Sequence, residues 1–311
     1  MDLLAIGGIA FDKLFWVDRL PETHFEAVIE KHGVYFGGRA PNAAVAAARL
    51  GIKTGIVSLV GEDFESEGYE DYLRKVGVDL RGVIKVRKAR TKRIFIFTDP
   101  QKNQITFLNH GAEKYLRRRK TPSDLIKDSK IVHISSSGDY RFNLRCARYA
   151  YQNNVSVSFD PANDPSTEIP QYLRTMIEYC SLLFMNDVEA LCIVKRLKLS
   201  TTKDLLSFGP STIVIINKND KSSSIHTKND TVQIPSAIRV IKDPTGTSDG
   251  YIAAFLAGHI KGCDTRTAGM LGSVEASFIA ESFGSQTNLP NWELLYERCK
   301  EWFKNSAKFE K

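Results

Sequence analysis

Short apolar runs that end in a small or polar residue recur along the chain. They are TGIVSLVG (54–61), KIVHISSSG (130–138), VSVSFDP (155–161), SLLFMND (181–187) and STIVIINK (211–218). Because these runs are continuous rather than alternating, they favour strands buried on both faces, as in a parallel sheet covered by helices. Helical patterns lie between them, over 41–50, 64–76, 142–152 and 168–179. The sequence therefore predicts a doubly wound α/β fold that binds ligands at the carboxyl ends of its strands.

Two β-rich segments interrupt this alternation. Residues 11–36 show period-2 character around a proline-containing turn, and residues 91–111 read as a hairpin about DPQKN. We expect these insertions, about 12–36 and 91–110, to build a small β-sheet that covers a site as a lid. No low-complexity linker or repeat divides the chain, so residues 1–311 are predicted to form a single α/β domain with this lid.

Composition excludes several classes of function. The net charge is +7, but the densest basic stretches, 85–93 and 115–120, lack the interleaved aromatic residues of a single-stranded nucleic-acid site. We therefore expect solvated basic faces and no nucleic-acid partner. Five cysteines without a C-x-x-C motif indicate a reducing compartment, predicted to be the cytoplasm, rather than disulfides or zinc. No apolar run is long enough for a membrane span, and we recognise no signal peptide.

The stretch KDPTGTSDGYIAAF (242–255) places Asp249 at the start of a predicted helix, directly after a turn of small residues. One interpretation is that Asp or Ser caps the helix by accepting hydrogen bonds from its first amides. The other is that these amides are reserved for an anionic ligand, which a helix N-terminus attracts through its donors and its dipole. The stretch alone does not decide between them.

Three further features have a structural and a functional interpretation. In GGRAPNAAVAAARLG (37–51), paired glycines precede Asn42 at a helix start, which suits either close helix packing or a ligand. Asn186 and Glu189 are spaced for a capping box, or for holding hydrated Mg²⁺ near phosphates. Asp12 closes the first strand, as a turn residue or as an acceptor for substrate hydroxyls.

Taken in order, these motifs resemble those of the PfkB (ribokinase-like) kinases. The pattern is G-G-x-x-x-N early, N-x-x-E in the middle and D-x-T-G-x-x-D late, and the resemblance extends over nearly the whole chain. Segments such as NQITFLNHGAEKY and SQTNLPNWELLYER are similar to those of archaeal nucleoside kinases. The resemblance implies a ribokinase-like fold and phosphoryl transfer from ATP, with Mg²⁺, to a small molecule. It is also compatible with a homodimer formed through the β lid.

The resemblance also implies roles for single residues. Asp249 would be the catalytic base, and the amides of Gly246, Thr247 and Ser248 would form an anion hole. We expect Asp249 to be a weak base, because the helix dipole stabilises its charged form. The other implied site residues are Asp12, Gly38, Asn42 and Asp160 for substrate, Asn186, Lys218, Gly246 and Asn288 for nucleotide, and Glu189 with Asn186 for Mg²⁺ bound largely through water.

The predicted substrate is a nucleoside, phosphorylated at its 5′-hydroxyl. The lid arms RIFIF and QITFL carry Phe95, Phe97 and Phe107, whose faces would suit a planar base, with Phe97 our chosen contact. Gln104 has the donor and acceptor needed to recognise a base edge. The alternative for these aromatic residues is a place in the core of the small sheet.

Two other functions remain open at this stage. One is a sugar kinase of the same family, for ribose, a ketohexose or a sugar phosphate, with Arg39, Arg93 and Arg141 as candidate phosphate ligands. The other is a catalytically weak binding protein. Three stretches depart from the family pattern: NKNDKSS (217–223) replaces T-x-G-x-x-G, GTSD replaces G-A-G-D, and DPAN (160–163) replaces D-P-G-Q. The first keeps the binding-protein alternative open, whereas the intact Asp249 argues against it.

Overall fold

The computed structural model describes residues 1–136, 139–161 and 169–303; part of the DPAN segment lies outside them. The strands are β1 (Leu3–Ile6), β2 (Ala10–Val17), β3 (Ile29–Gly37), β4 (Thr54–Val60), β5 (Asp79–Lys85), β6 (Lys92–Thr98), β7 (Gln104–Asn109), β8 (Ile131–Ser135), β9 (Ser156–Asp160), β10 (Leu182–Asn186), β11 (Thr212–Ile216), β12 (Ser223–Thr227) and β13 (Thr231–Ile234). The helices are α1 (Arg39–Arg49), α2 (Asp63–Ser66), α3 (Tyr69–Val76), α4 (Ser123–Lys127), α5 (Tyr140–Gln152), α6 (Pro170–Tyr179), α7 (Asp187–Arg196), α8 (Thr247–Ile260), α9 (Thr265–Ala280) and α10 (Trp292–Trp302), with 3₁₀ helices at Gly111–Arg118 and Thr202–Ser207.

A nine-stranded sheet forms the centre of the described chain, in the order β13-β12-β11-β10-β9-β8-β1-β4-β5. The strands from β11 to β5 are parallel, and β12 and β13 add an antiparallel edge. The chain leaves β1 toward β4 and β5 on one side, and later returns to β8 on the other side. This reversal creates a switch point between β1 and β8, where α/β sheets open a crevice at the strand ends.

Helices cover both faces of this sheet. One buried apolar cluster joins α1, α3, α8, α9 and α10 to one face, and a second joins α4 to α7 to the other face. Alanines let α1 lie close to the sheet, and α8 is buried from Asp249 to Gly258 between its neighbours. The predicted doubly wound α/β class is therefore confirmed.

The small sheet has four strands in the order β3-β2-β6-β7. Its strands come from the two segments that interrupt the α/β alternation, and β2 pairs parallel with β6 and antiparallel with β3. One face of this sheet covers the switch-point crevice, so the predicted β lid is confirmed.

Two local predictions need correction. Asp12 does not close the first strand, because Gly7 and Gly8 separate β1 of the large sheet from β2 of the lid, and Asp12 lies within β2. The helix predicted over 64–76 is split into α2 and α3 by Gly68, whose φ is +79°. The antiparallel edge strands β12 and β13 were not predicted. No helix in the described residues is long and apolar enough to cross a membrane.

Candidate active site

A cavity of about 670 Å³ lies between the switch point and the lid, a volume typical of small-molecule sites. Seven of the sequence-predicted site residues line it: Asp12, Gly38, Asn42, Gln104, Gly246, Ser248 and Asp249. The structure adds residues that sequence reasoning did not assign, among them Lys92, His110, Ser136, Tyr140 and Asn143. Strand ends and helix starts supply most of the cavity floor, while β6 and β7 form its roof.

The N-terminus of α8 has no side-chain cap, and Gly246 occupies the N-cap position with a φ of +82°. A Cβ at residue 246 would lie 2.2 Å from that of Ser285, so only glycine fits there. Asp249 is the third residue of the helix rather than its cap, which rules out the capping interpretation. The amide of Thr247 donates to the carbonyl of Pro244 at 3.3 Å. Gly246 and Ser248, but not Thr247, line the cavity, so the amides that an anion site requires are those of residues 246 and 248.

Asp243 holds the turn before α8 in place. Its carboxylate accepts hydrogen bonds from the amide and hydroxyl of Thr245, at 3.0 and 2.6 Å, and from the amide of Gly284 at 3.0 Å. Asp243 is buried, and sequence reasoning missed this role. The only signal available was its position at the start of the small-residue turn.

Asp249 is buried, and its Oδ2 accepts a hydrogen bond from Asn42 Nδ2 at 2.7 Å. Burial raises the pKa of Asp249 to about 6, although Arg39 and the Asn42 amide lower it and Asp160 raises it further. Our expectation of a weak base was therefore wrong, because desolvation outweighs the helix dipole here. The carboxylate is poised close to neutral pH, where a general base is most useful.

Asp12 lies in β2, and its Oδ1 is buried with no hydrogen-bond partner in the described chain. Burial, followed by the charge of Asp249, raises the pKa of Asp12 to about 8, with Lys92 opposing and Asp243 adding to the increase. An unsatisfied buried carboxyl oxygen costs stability unless a ligand completes it. The site therefore contains an acceptor held ready for a hydroxyl group.

Gly38 precedes α1 at a φ of +97°, and a Cβ there would lie 2.2 Å from the carbonyl oxygen of Gly8. This close approach brings the start of α1 onto the end of β1. It also positions Arg39 and Asn42, which both line the cavity.

One arginine and one lysine line the cavity, and each is paired with a carboxylate. Arg39 contacts Asp160 at 3.2 Å, and Lys92 contacts the buried Glu113 at 2.9 Å. His110 Nδ1 also lies 3.0 Å from Glu113. Asp160 itself lies outside the cavity lining and acts on the site through Arg39. The pairing of Lys92 with Glu113 was not visible in the sequence, because the two residues lie 21 positions apart in separate elements.

The other arginines considered for a phosphate lie elsewhere. Arg93 pairs with Asp63 at 2.7 Å and with Glu67 at 2.5 Å. Arg141 stacks over the ring of Tyr140, at 5.1 Å from its centroid, and does not line the cavity. Neither residue is placed to bind a substrate phosphate in this arrangement.

The lid presents alternate residues to the cavity. Ile94 and Ile96 of β6, with Gln104, Thr106 and Leu108 of β7, form its inner face. Gln104 Nε2 donates to Thr98 Oγ1 and Thr245 Oγ1, both at 3.2 Å, and so joins the lid to the turn before α8.

Phe97 does not line the cavity, which corrects the prediction that it contacts the substrate base. Its ring stacks on Phe15 with centroids 4.8 Å apart, and meets Phe107 edge-on at 5.9 Å. These rings belong to the outer face of the lid sheet, because residues 95, 97 and 107 alternate with the cavity-lining positions.

Asn186 and Glu189 form a complete capping box at the start of α7. Asn186 Oδ1 accepts from the Glu189 amide, and Glu189 Oε2 accepts from the Asn186 amide, both at 2.8 Å. The structural interpretation is thus realised. Glu189 is nevertheless buried, and burial together with the charge of Asp160 raises its pKa, so the carboxyl belongs to the same electrostatic cluster. Among the described residues, no group of three His, Cys, Asp or Glu is arranged to hold a metal by itself.

The remaining predicted nucleotide residues lie outside the cavity. Lys218 is exposed in the turn after β11, and its amide donates to Asp187 Oδ1 at 3.2 Å. This turn closes without glycine, because Asn217 Oδ1 accepts from the amide of Asn219 at 2.8 Å. Lys221 takes up a φ of +59°. Asn288 donates to the carbonyl of Phe278 at 2.7 Å, beside the end of α9.

Phosphoryl transfer requires positioned charges and an excluded solvent more than covalent chemistry from the protein. An uncapped helix start with a buried carboxylate beside it, under a β lid on a doubly wound sheet, is the arrangement that the resemblance to ribokinase-like kinases implied. The family model for pfkB carbohydrate kinases matches residues 12–292. The chain therefore belongs to the pfkB family of carbohydrate kinases, and it is a phosphotransferase of that family.

Within the family, the chain is similar to several nucleoside kinases. The chain is 37% identical to a nucleoside kinase of Methanocaldococcus jannaschii over 308 residues, which covers 95% of this chain and 96% of that protein. The crystal structure of M. jannaschii nucleoside kinase, an archaeal member of the ribokinase family, matches with a TM-score of 0.88 at 35% identity, over 97% of this chain and 99% of that one. A Burkholderia thailandensis nucleoside kinase in complex with ADP-inosine matches with a TM-score of 0.87 at 25% identity, over 99% and 98%.

Proposed function

We propose that this protein transfers the γ-phosphoryl group of ATP to the 5′-hydroxyl of a nucleoside. The observation that carries the proposal is the buried carboxylate of Asp249 beside the uncapped start of α8, in one cavity with the unsatisfied carboxyl of Asp12. The similarity to two nucleoside kinases, one of them in complex with ADP-inosine, supports the choice of substrate.

In the proposed reaction, the substrate 5′-oxygen attacks the γ-phosphorus while the bond to the β,γ-bridging oxygen breaks and ADP leaves. The hydroxyl proton passes to Asp249. With a pKa of about 6, this carboxyl is mostly ionised at neutral pH and still basic enough to accept a proton. Orientation of the hydroxyl is an equal part of its role, since a loose transition state releases the proton late.

Backbone amides at the start of α8 would stabilise the charge on the transferred group. Because the Thr247 amide already donates to Pro244, we assign the larger share to Gly246 and Ser248. Serine in place of the family's glycine at residue 248 leaves its amide available, so GTSD is compatible with this role. Asp243 keeps the turn rigid, which maintains the donors in place without reorganisation.

The oxygen donors at the end of β10 fit Mg²⁺, which prefers one or two carboxylates together with water and substrate phosphates. Glu189 would hold the ion largely through water, with Asn186 orienting Glu189 through the capping box. When bound, Mg²⁺ would neutralise phosphate charge. We propose Lys218 and Asn288 as contributors to the nucleotide site, on the basis of the family resemblance.

An uncharged acceptor fits the cavity better than a sugar phosphate. Arg39 and Lys92, the lysine and arginine that line the described cavity, are already neutralised by Asp160 and Glu113. Binding a substrate phosphate would require breaking the buried Lys92–Glu113 pair or the half-buried Arg39–Asp160 pair, which leaves a buried carboxylate uncompensated. Asp12 offers an acceptor for ribose hydroxyls instead, and Asn42 offers the second N–H of the amide that donates to Asp249.

The lid would enclose the base. Ile94, Ile96 and Leu108 offer an apolar surface for a flat ring, in the place that we had predicted for Phe97. Gln104 supplies an amide at this surface and connects it to Thr245. Closure of this sheet over the substrate would exclude water from the reaction.

A side-by-side assay of phosphate acceptors tests the proposal. Inosine, guanosine, cytidine and adenosine would be compared with ribose, fructose and fructose 6-phosphate, using ATP and Mg²⁺ and measuring kcat/KM. We expect a nucleoside to give the highest value and a 5′-monophosphate as product. If a sugar or sugar phosphate exceeds every nucleoside, the nucleoside assignment fails and only family membership remains.

We also propose that two copies of the chain associate through the outer face of the lid. This face carries Phe107, Val34 and Ile105, which are 59%, 56% and 41% exposed. They lie next to the stacked rings of Phe15 and Phe97. An apolar face of this kind on an open four-stranded sheet favours burial against a partner. A second copy is the simplest partner that offers the same apolar surface.

A cytoplasmic location is the final part of the proposal. All five cysteines are free, and Cys146, Cys180 and Cys299 are buried as thiols. Free thiols persist in reducing compartments. Fractionation of expressing cells with an antibody against the chain would test this, and recovery in a membrane or secreted fraction would contradict it.

A further inference from the structure

A row of buried hydrogen bonds connects a backbone carbonyl in the lid to the carboxylate of Asp249. Tyr69 OH lies 2.9 Å from the carbonyl oxygen of Gly37, and Gln286 Nε2 lies 2.8 Å from Tyr69 OH. Gln286 Nε2 also lies 2.7 Å from Asn42 Oδ1, and Asn42 Nδ2 lies 2.7 Å from Asp249 Oδ2. All four side chains are at most 8% exposed.

The first member of this row fixes the direction of every later bond. A carbonyl oxygen can only accept, so the Tyr69 hydroxyl must donate its single proton to Gly37. The Tyr69 oxygen is then an acceptor, which requires Gln286 to present its NH₂ end. This NH₂ end also faces Asn42, so Asn42 must present its oxygen to Gln286. Its own NH₂ end is left to face Asp249.

Ser285 contributes to the same junction without setting its direction. Its hydroxyl lies 2.8 Å from Asn42 Oδ1. Because a hydroxyl can rotate to donate or accept, Ser285 would suit either orientation of the Asn42 amide. The directional information comes from Tyr69 and Gln286.

We propose that Tyr69 and Gln286 are positioning residues for the phosphoryl transfer proposed above: they lock the Asn42 amide so that its NH₂ group always donates to Asp249 Oδ2. This donation occupies one carboxylate oxygen and directs the other toward the substrate hydroxyl. A reversed Asn42 amide would instead place its oxygen against the carboxylate, which repels the ionised base. This row of hydrogen bonds thus favours the ionised form of Asp249 and fixes the rotation of its carboxylate.

Other groups also face Asp249 and must remain constant in any test. Arg39 at the start of α1 stabilises its charge, while Asp160 at the end of β9 opposes it. The charge of Asp249 in turn raises the pKa of Asp12 in β2. Tyr69 and Gln286 do not touch Asp249, so their substitution changes none of these charges. The effect of the hydrogen-bond chain can therefore be separated from direct electrostatics.

The test uses Gln286→Met, which removes the donor to Asn42 without adding charge, and Tyr69→Phe, which removes the anchor alone. Tyr72→Phe is the matched control. Tyr72 lies on the same helix, and its hydroxyl donates at 3.2 Å to the backbone carbonyl of Gln286 rather than to its side chain. All three variants lose a polar group at or next to residue 286, but only Gln286→Met and Tyr69→Phe interrupt the row of hydrogen bonds that orients Asn42.

The primary readout is the pKa of Asp249. It is measured by a pH titration that monitors the carboxyl carbon by NMR in protein labelled with [4-¹³C]aspartate. The resonance is assigned by its absence in Asp249→Asn. We expect Gln286→Met to raise this pKa by about one unit, because hydrogen bonds to a carboxylate favour its charged form. Tyr69→Phe should shift it in the same direction by less, and Tyr72→Phe should leave it unchanged.

A purely structural role would lower the melting temperature of the variants and leave the titration of Asp249 in place. Coincident titrations of Gln286→Met, Tyr72→Phe and the unmodified protein would therefore overturn the inference. This readout needs no turnover. If no nucleoside is phosphorylated but Gln286→Met raises the pKa of Asp249, the proposed function is wrong and the positioning role of Tyr69 and Gln286 is still supported. With an active enzyme, the acidic limb of kcat/KM should shift in the same order.

Discussion

At the scale of single residues, burial determines the charge state of the site more than local dipoles do. Asp249 follows a rule that the sequence suggested, namely a carboxylate at a helix start, yet its pKa is raised rather than lowered. Asp12 is affected more strongly, since it is buried near Asp249 and lacks a partner for Oδ1. Such unfavourable carboxylates are typical of functional sites, where stability is sacrificed for a ligand.

The raised pKa of Asp12 predicts how the stability of Asp12→Asn depends on pH. The folded protein holds a proton on Asp12 up to about pH 8, whereas the ordinary aspartate pKa is 3.8. Stability therefore falls as pH rises between these values, because the unfolded chain releases the proton more readily. Asp12→Asn removes this penalty while weakening nucleoside binding. Urea unfolding measures the difference in the free energy of unfolding between Asp12→Asn and the unmodified protein. This difference should be at least about 1.4 kcal/mol more favourable to the variant at pH 8 than at pH 5.

An equal difference in unfolding free energy at both pH values would contradict this prediction. Asp2→Asn provides a control on the same protein. Asp2 is hydrogen-bonded to Lys130, which lowers its pKa, so its substitution should destabilise rather than stabilise at pH 8.

Sequence reasoning located most of the residues around the acceptor and missed those that depend on distant pairing. Asn42 and Asp249 each stand at a helix start, which a pattern reveals, whereas Asp12 lies within β2 and not at the strand end that the pattern predicted. Lys92 and Glu113 form a site element only because β6 meets a 3₁₀ helix in space. No local signal separates such a pair from ordinary surface charges.

At the scale of elements, the error over Phe97 has a simple cause. In RIFIF, isoleucine and phenylalanine alternate, so both faces of β6 are apolar and period 2 cannot tell which one covers the cavity. The lid sheet uses isoleucine inside and phenylalanine outside. Only the pairing of β6 with β2, where Asp12 faces Ile94, fixes the phase.

The two faces of β7 should respond differently to substitution. Gln104→Leu removes the amide that bridges the lid to Thr245, so we expect the KM for the nucleoside to rise by at least about tenfold, near the lower end of the cost of truncating a specific contact. Its neighbour Ile105 faces outward, and Ile105→Thr should change KM by less than about threefold. Steady-state kinetics of both variants measure this. Similar KM values for the two would refute the assignment of faces.

The start of α7 combines a cap with a proposed metal role, and Glu189→Gln separates them. Glutamine retains an oxygen for the Asn186 amide, so the capping box and the melting temperature should persist. Loss of the charge should raise the concentration of Mg²⁺ needed for half-maximal activity. EDTA should abolish activity, and Mg²⁺ or Mn²⁺ should restore it.

The result that would contradict this view is an unchanged Mg²⁺ requirement in Glu189→Gln. The residue would then serve the helix cap alone. Turnover that persists in EDTA would remove the metal from the account altogether.

At the scale of the whole molecule, the sequence predicted the architecture because strands buried on both faces leave a clear pattern. β4, β8, β9, β10 and β11 all coincide with continuous apolar runs. The antiparallel strands β12 and β13 were missed because both are partly polar, and β13 has only four residues. The single-domain boundary stays a prediction.

Association through the lid gives a prediction for the molecule as a whole. Phe107→Asp places a charge on the proposed interface, so it should convert a dimer of about 70 kDa into a monomer in light scattering after gel filtration, twice and once the 34.9 kDa chain. Leu191→Asp is the control, since Leu191 is 70% exposed on α7, away from the lid. A monomeric unmodified protein, or a Phe107→Asp variant that remains dimeric, would refute the lid interface.

The central claim is that Asp249 beside the start of α8 drives phosphoryl transfer, and kcat of Asp249→Asn tests it most directly. We predict a fall of at least about a hundredfold with little change in nucleoside KM, in line with general-base contributions. Ser248→Ala keeps the backbone amide of residue 248, so its kcat should stay within about threefold of the unmodified enzyme. In the unmodified enzyme, activity should fall as pH drops through about 6, as Asp249 becomes protonated. Near-normal turnover by folded Asp249→Asn would contradict the account.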